Sequence, residues 1–197
     1  MAEIILVRHT EISNVWKKRC YGVSDVPLSP IGEAAVGPLA GHLATYRPKH
    51  VIHSGLSRTK KLAVALAGHV GCPMTENKAF RELDFGNWEG CTWDEVFAEV
   101  GHGMARMITE PETFAPPNGE TVHAVRDRVV GALLQISADG PTIVVTHGGP
   151  IGAVRGTLEN KPAREWTELV PSYGAATSLT KADLLQLKAA FAKARSC

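Results

Sequence analysis

Two histidines and two arginines stand where apolar, strand-length runs of this chain end. Arg8-His9-Thr10 closes the run Glu3 to Arg8, Ser54-Gly55-Leu56-Ser57-Arg58 follows His50 to Ser54, and Thr146-His147-Gly148-Gly149 ends Thr142 to Thr146. In an open parallel sheet the functional crevice lies beyond the carboxyl ends of the strands. His9, His147, Arg8 and Arg58 are therefore expected on one rim. Such a set suits a phosphoryl group: guanidinium groups bind its oxygens through paired charge-assisted hydrogen bonds, and a neutral imidazole is a competent nucleophile for a covalent intermediate. Either histidine alone would be an ordinary polar residue at a strand end. Two arginines beside them change the balance, because cations held at a rim without an anionic partner are costly.

The elements that must position these residues alternate along the chain. After the first strand a polar loop runs through Lys17, Lys18 and Arg19 to the turn-like Gly22 and Pro27. Ser29-Pro30 starts a helix, with serine as N-cap and proline at the first helical position, that runs to about Thr45 and ends near Pro48. The second strand is followed by a helix over Ser57 to Val70, closed by Gly71. Between Pro73 and Pro117 the pattern loosens into a short strand near Met74, a loop through Glu82 and Trp88, and one or two helices between Thr92 and Thr109. Pro116 to Gly119 is a turn, and Thr121 to Ile136 carries Val122, Val125, Val129, Leu133 and Ile136 at helical spacing. Gly148-Gly149-Pro150 is expected to break the chain before a helix through Val154 and Leu158. A last strand around Ala175 to Thr180 and a helix marked by Leu184, Leu187 and Phe191 complete the chain. Strands alternating with helices predict one α/β domain over residues 1–197 with a mostly parallel sheet.

Four segments stand in a telling order: Leu6-Val7-Arg8-His9-Thr10, Ser54-Gly55-Leu56-Ser57-Arg58-Thr59, Arg81-Glu82-Leu83-Asp84-Phe85-Gly86-Asn87-Trp88-Glu89-Gly90 and Val145-Thr146-His147-Gly148-Gly149. Together they resemble the histidine phosphatase superfamily, the phosphoglycerate mutase-like fold, from the start of the chain to about residue 156. The resemblance implies a three-layer α/β/α sandwich, His9 as phosphoryl acceptor, Arg8, Arg58 and His147 on the phosphate, and Glu82 as proton donor to the leaving oxygen. A carboxyl in a partly desolvated pocket can hold that proton near neutral pH and later deprotonate the attacking water. Asp84 and Glu89, in the same loop, are the alternative donors. Departures from the family pattern are Thr10 where glycine is usual, His53 where threonine or serine is usual, and Asn14, one position off the loop asparagine that often touches phosphate. Cys20-Tyr21-Gly22-Val23-Ser24-Asp25-Val26-Pro27-Leu28 looks like the branch that contains α-ribazole phosphatases, and Phe85 to Gly90 agrees with it.

The expected function is a metal-independent phosphomonoester hydrolase acting through a phosphohistidine on a small soluble ester, with α-ribazole 5′-phosphate as the named candidate. The rival enzymes are a phosphoglycerate mutase and a broad-specificity sugar or nucleotide phosphatase. Mutases of this fold usually carry a longer insertion after the acid-bearing motif than the stretch from Gly90 to Pro117. A non-catalytic phospho-ligand sensor tends to lose its nucleophile or acid, whereas His9 and Glu82 are both present.

Composition narrows the classes further. At 44% hydrophobic and 21% charged residues the chain is neither disordered nor fibrous, and a net charge of +1 with scattered basic residues gives no reason to expect nucleic acid or membrane binding. The N-terminal Met-Ala-Glu-Ile-Ile-Leu-Val reads as a first strand and not a leader. Cys20, Cys72, Cys91 and Cys197 form no CxxC pair, so reduced thiols in a cytoplasm are expected. No histidine spacing suggests a metal site, no GxGxxG follows a strand, and no Gly-Lys-Ser/Thr completes a P-loop, so neither metal nor cofactor is expected. The expected partner is the phosphate ester, and a homodimer is left open. Lys17-Lys18-Arg19 either meets the distal part of a substrate or is solvated, and Trp88 and Trp93 either stack on a substrate ring or pack. Asn118-Gly119-Glu120-Thr121 resembles the family's turn at the active-site edge, though capping alone would explain it.

Overall fold

A computed structural model describes residues 3–137 and 139–194, which leaves Cys197 outside the described residues. Five strands, β1 (Ile4–Arg8), β2 (His50–His53), β3 (Met74–Glu76), β4 (Thr142–Thr146) and β5 (Ala176–Leu179), form one sheet in the order β3-β2-β4-β1-β5. The first four are parallel. Among the described residues seven α-helices accompany them: α1 (Pro30–Ala44), α2 (Ser57–Val70), α3 (Trp93–Val100), α4 (Arg106–Thr109), α5 (Val122–Leu133), α6 (Gly148–Leu158) and α7 (Lys181–Ala194).

Alternation along the strands divides the core between two faces. Ile5, Val7, Val51, Ile143 and Val145 pack with Ala40 and Leu43 of α1 and Leu62 and Leu66 of α2. Ile4, Leu6, Ile52 and Val144 point the other way, onto Val125 and Val129 of α5, Ile151 and Val154 of α6, and Leu184 and Leu187 of α7. A period of two in the central strands thus yields the three-layer sandwich expected from the sequence. Each fully buried aliphatic chain contributes about 1.5–3 kcal/mol to holding the layers together.

Local signals account for the helix starts. The Ser29 hydroxyl accepts from Gly32 N–H at 2.9 Å ahead of Pro30, and Thr121 accepts from Ala124 N–H at 3.0 Å. Thr92 and Glu95 form a reciprocal capping box at α3.

One expectation needs correction. The double glycine ends the strand but does not delay the helix: α6 begins at Gly148 itself, with Pro150 in its first turn. Proline costs nothing there, because the first N–H groups of a helix have no intrahelical acceptor. The last strand, β5, lies within the expected Ala175 to Thr180 and runs antiparallel to β1, at the edge of the mostly parallel sheet. Among the described residues no helix is long and apolar enough to cross a membrane.

Candidate active site beyond the strand ends

Register brings the predicted residues together. Arg8 pairs with Thr146 and His53 with Val145, so the residues that follow β1, β4 and β2 emerge side by side. The His9 and His147 rings lie 5.2 Å apart, edge to face, and Ser54 Oγ lies 2.8 Å from His147 Nε2. Arg8 and Arg58 flank them, and Glu82 comes from the loop after β3.

His9 is 1% exposed and its Nδ1 lies 2.7 Å from the Thr10 carbonyl oxygen. A carbonyl only accepts, so Nδ1 carries the proton and the Nε2 lone pair is unprotonated. Burial, then the Arg58 charge, with a smaller push from Arg8, lower its pKa to about 3 against the opposing Thr10 bond. The ring is therefore a neutral nucleophile at physiological pH. Burial, Arg58 and His9 likewise hold His147 well below the usual histidine range. Arg58 Nε donates to His147 Nδ1 at 3.3 Å, which leaves Nε2–H to donate to Ser54 Oγ. Ser54 in turn meets Thr59 Oγ1 at 2.9 Å, and the Thr59 hydroxyl donates to the Leu56 carbonyl at 2.8 Å.

Arg58 is fully buried, donating from Nη1 to the Ser24 carbonyl at 2.7 Å and from Nη2 to the Gly22 carbonyl at 2.6 Å. Arg8 donates from Nη1 to the Pro171 carbonyl at 2.7 Å, while its buried Nε has no partner. Among the described residues neither arginine forms an ion pair with a carboxylate. A buried and a half-buried cation, both held by neutral carbonyls, make a seat for an anion.

The three candidate acids have different surroundings. Glu89 accepts from the backbone N–H of Val23 and Ser24, each at 2.9 Å, from Phe85 N–H at 3.2 Å and from the Ser24 hydroxyl, so it ties the loop that holds Arg58 to the loop that carries Glu82. Asp84 accepts from Gly86 N–H at 2.8 Å inside its own turn. Of the three, only Glu82 lines the cavity above the arginines. Its carboxylate accepts from Gly149 N–H at 3.1 and 3.2 Å and from Leu83 N–H at 3.1 Å. A Cβ at position 149 would collide with Glu82 Oε1, which is why the first turn of α6 needs glycine there.

That cavity encloses about 770 Å³. Of the predicted site residues, Arg8 and Glu82 line its floor. The wall is apolar, built from Trp93, Phe97, Met104, Met107 and Ile108 on one side and Val122, Val125, Trp166 and Val170 on the other. The two tryptophans of the acid loop part company here: Trp88 is core at 2% exposure, whereas Trp93 lines the cavity edge-to-face with Phe85. Lys17 and Arg19 reach the cavity, but Lys17 pairs with Glu11 at 3.4 Å and Arg19 donates to the Gly90 carbonyl at 2.7 Å. Of the departures from the family pattern, His53 accepts from Gly55 N–H at 3.0 Å and so shapes the turn before Arg58, while Asn14 is exposed.

Comparison with known proteins agrees with this arrangement. Residues 4–187 match the model of the histidine phosphatase superfamily, branch 1. The chain belongs to that superfamily, and it is an enzyme of the histidine phosphatase type. A probable phosphoglycerate mutase GpmB of Salmonella paratyphi C is 30% identical over 171 residues, covering 85% of this chain and 79% of the relative. Among solved structures, a mycobacterial glucosyl-3-phosphoglycerate phosphatase is similar with a TM-score of 0.76 and 26% identity over 90% of this chain and 89% of that one. Bacillus stearothermophilus YhfR shares the fold with a TM-score of 0.81 at 23% identity, over 91% of each chain.

Around this histidine phosphatase site lie residues that the sequence reading passed over. Behind Glu82, Arg128 of α5 donates from Nη1 to the carbonyls of Ala79 and Arg81, both at 2.8 Å, and from Nη2 to that of Glu82 at 2.9 Å. It also forks onto Glu120 at 2.6 and 3.0 Å, and Glu120 accepts from Asp84 N–H at 3.0 Å. The segment Asn118 to Thr121 therefore does more than cap α5. A signal for Arg128 was present: it stands three residues after Val125 and next to Val129, on the core stripe of the helix. Arg128→Met is expected to lower kcat for alkyl phosphate esters by about 10²-fold, the scale of a misplaced catalytic group. Inhibition by inorganic phosphate should be unchanged, and steady-state kinetics with phosphate as inhibitor measures both.

Burial of neutral imidazoles also sets an acid limit on stability. The folded pKa of His9, about 3, lies below its unfolded value of about 6.5, so between those values the unfolded chain binds a proton that the folded chain does not. His9 contributes fully above pH ~6.5 and the contribution is lost as pH falls toward 3, by ~1.4 kcal/mol per unit. Thermal melts should therefore show stability falling from pH 7 to pH 5, with a shallower slope for His9→Asn. Parallel slopes for the two proteins would contradict the burial of a neutral ring.

Proposed function

We propose that the chain is a metal-independent phosphomonoester hydrolase, one domain over residues 1–197, that passes the phosphoryl group through His9. The observation that carries this reading is a buried, neutral His9 whose proton is committed to the Thr10 carbonyl, beside a buried Arg58 and a half-buried Arg8 that have no carboxylate partner among the described residues. In the first step His9 Nε2 attacks phosphorus, the bond from phosphorus to the ester oxygen breaks, and Glu82 gives its proton to the departing alkoxide. In the second step water attacks the phosphohistidine, Glu82 takes the water proton, and the phosphorus–nitrogen bond breaks to release phosphate and neutral Nε2. Arg8 and Arg58 supply the positive charge that a metal ion provides elsewhere, and their binding geometry is fixed before the ester arrives. His147, expected on the phosphate, has Nδ1 on Arg58 and Nε2 on Ser54, so in this reading it keeps Arg58 in place beside the phosphate.

The apolar wall supports an ester whose alcohol part is large and largely uncharged. α-Ribazole 5′-phosphate, an aromatic base on a ribose phosphate, is of that kind. The relatives named as phosphoglycerate mutases raise the second reading. A mutase must also hold the carboxylate of a three-carbon acid, and the basic residues that reach the cavity beyond Arg8 are already engaged with Glu11 and the Gly90 carbonyl. We propose a cytoplasmic enzyme with a small phosphate ester as its partner, a homodimer left open, and neither nucleic acid nor membrane.

Release of inorganic phosphate from α-ribazole 5′-phosphate, 3-phosphoglycerate and p-nitrophenyl phosphate, before and after dialysis against EDTA, tests the reading. The highest kcat/KM is expected for the first ester, with no loss on dialysis. Isomerised phosphoglycerate without released phosphate would establish the mutase instead, and activity that vanished with EDTA and returned with metal would exclude the mechanism.

A further inference from the structure

β5 runs antiparallel to β1, so the loop that leads into it returns to the catalytic end of the sheet: Gly174 N–H meets the carbonyls of Arg8 and His9 at 3.1 and 3.2 Å. This places Tyr173 in the site. Its ring lies 4.0 Å from the Arg8 guanidinium carbon and 5.6 Å from the His9 ring. From the opposite loop Tyr21 lies 5.5 Å from the Arg58 guanidinium carbon. The tyrosine pair therefore reaches from one phosphate-binding arginine to the other, and both rings line the cavity.

Burial, then the neighbouring Tyr173 and the charge of Glu82, push the Tyr21 hydroxyl up, so it stays protonated. Each hydroxyl can donate as well as accept. Both tyrosines are half-buried and line a largely apolar cavity, so an oxygen of the bound alcohol that passes between them can accept from them. Glu82, which must reach the ester oxygen, lines the same cavity. The pair borders the first atoms of the alcohol, between the phosphate floor and the apolar wall.

We propose that Tyr21 and Tyr173 form a hydroxyl collar that selects phosphate esters carrying an acceptor oxygen within a few bonds of the ester oxygen, such as the ring oxygen of a phosphorylated furanose. The proposal rests on the hydrolase reading above. It makes the substrate a phosphorylated sugar bearing an apolar group, and it separates the recognition of the alcohol from that of phosphate.

Cyclopentylmethyl phosphate and tetrahydrofurfuryl phosphate differ by one ring oxygen and share an alkyl leaving group. The wild-type enzyme should prefer the oxygen-bearing ester in kcat/KM by about tenfold, the scale of one hydrogen bond. Tyr173→Phe should bring that ratio close to one while leaving inhibition by vanadate, which needs only the floor, unchanged. Tyr21→Phe should lower the ratio too, and it carries the same readout if Tyr173→Phe fails to fold. A ratio near one in the wild type, a ratio unchanged in the variants, or an equal loss on both esters would overturn the collar. Failure of the wild-type enzyme to hydrolyse any ester would instead overturn the hydrolase reading.

Discussion

Replacing His9 with alanine is expected to abolish turnover, with kcat lower by on the order of 10⁴-fold or more, as for the loss of other covalent nucleophiles. Each tenfold corresponds to ~1.4 kcal/mol of barrier. The fold should survive, because His9 stands at the end of β1, outside the two apolar clusters that join the layers. Loss of a ring whose protonation burial opposes also removes an acid-sensitive group. The Arg8 and Arg58 floor remains, so vanadate should still raise the melting temperature. A folded His9→Ala protein retaining more than about a tenth of wild-type activity, well short of the loss expected for a nucleophile, would exclude His9 as the phosphoryl acceptor.

The second large effect concerns Glu82 and depends on the leaving group. An alkoxide needs a proton to depart, whereas p-nitrophenolate leaves with little assistance, so Glu82→Gln should slow alkyl esters by about 10²- to 10⁴-fold and aryl esters far less. Glutamine can still accept from Gly149 N–H through its carbonyl oxygen, so the loop should keep its place. If Glu82 also activates water, the aryl ester should give a burst of p-nitrophenol followed by slow phosphohistidine breakdown. Asp84→Asn and Glu89→Gln should show neither behaviour: the Asp84 carboxylate serves its own turn and the Glu89 carboxylate ties two loops. A burst that followed either of these variants would move the acid role there.

How far the sequence carried these conclusions differs by residue. The starts of α1 and α5 were legible because Ser29-Pro30 and Thr121 are local signals that need no tertiary partner. The meeting of Arg8, His9, Arg58 and His147 was legible from strand ends, since a parallel sheet places every such end on one edge. Tyr173 was not, because its place depends on the direction of β5, and alternation in a four-residue strand carries no direction. The cavity wall was hidden for a related reason. Phe97 of α3, Met104 of the turn that follows it and Ile108 of α4 belong to short elements, and only their placement beside the site turns them into a lining. The choice of Glu82 over Asp84 and Glu89 needed the hydrogen bonds that occupy the other two, which spacing in one loop does not encode. The start of α6 lies earlier than the sequence suggests because Gly148-Gly149-Pro150 signals the end of a strand, and only the close approach of Glu82 shows these residues to be a helix's first turn.

The most direct measurement is the site of phosphorylation itself. Glu82→Gln enzyme mixed with p-nitrophenyl phosphate, quenched in alkali during the burst and digested, should yield one phosphorylated peptide, the one that contains His9, with phosphate that is stable to base and lost in acid. Phosphate on any other residue, or no phosphoenzyme in either the variant or the wild-type protein while phosphate is still released, would contradict transfer through His9.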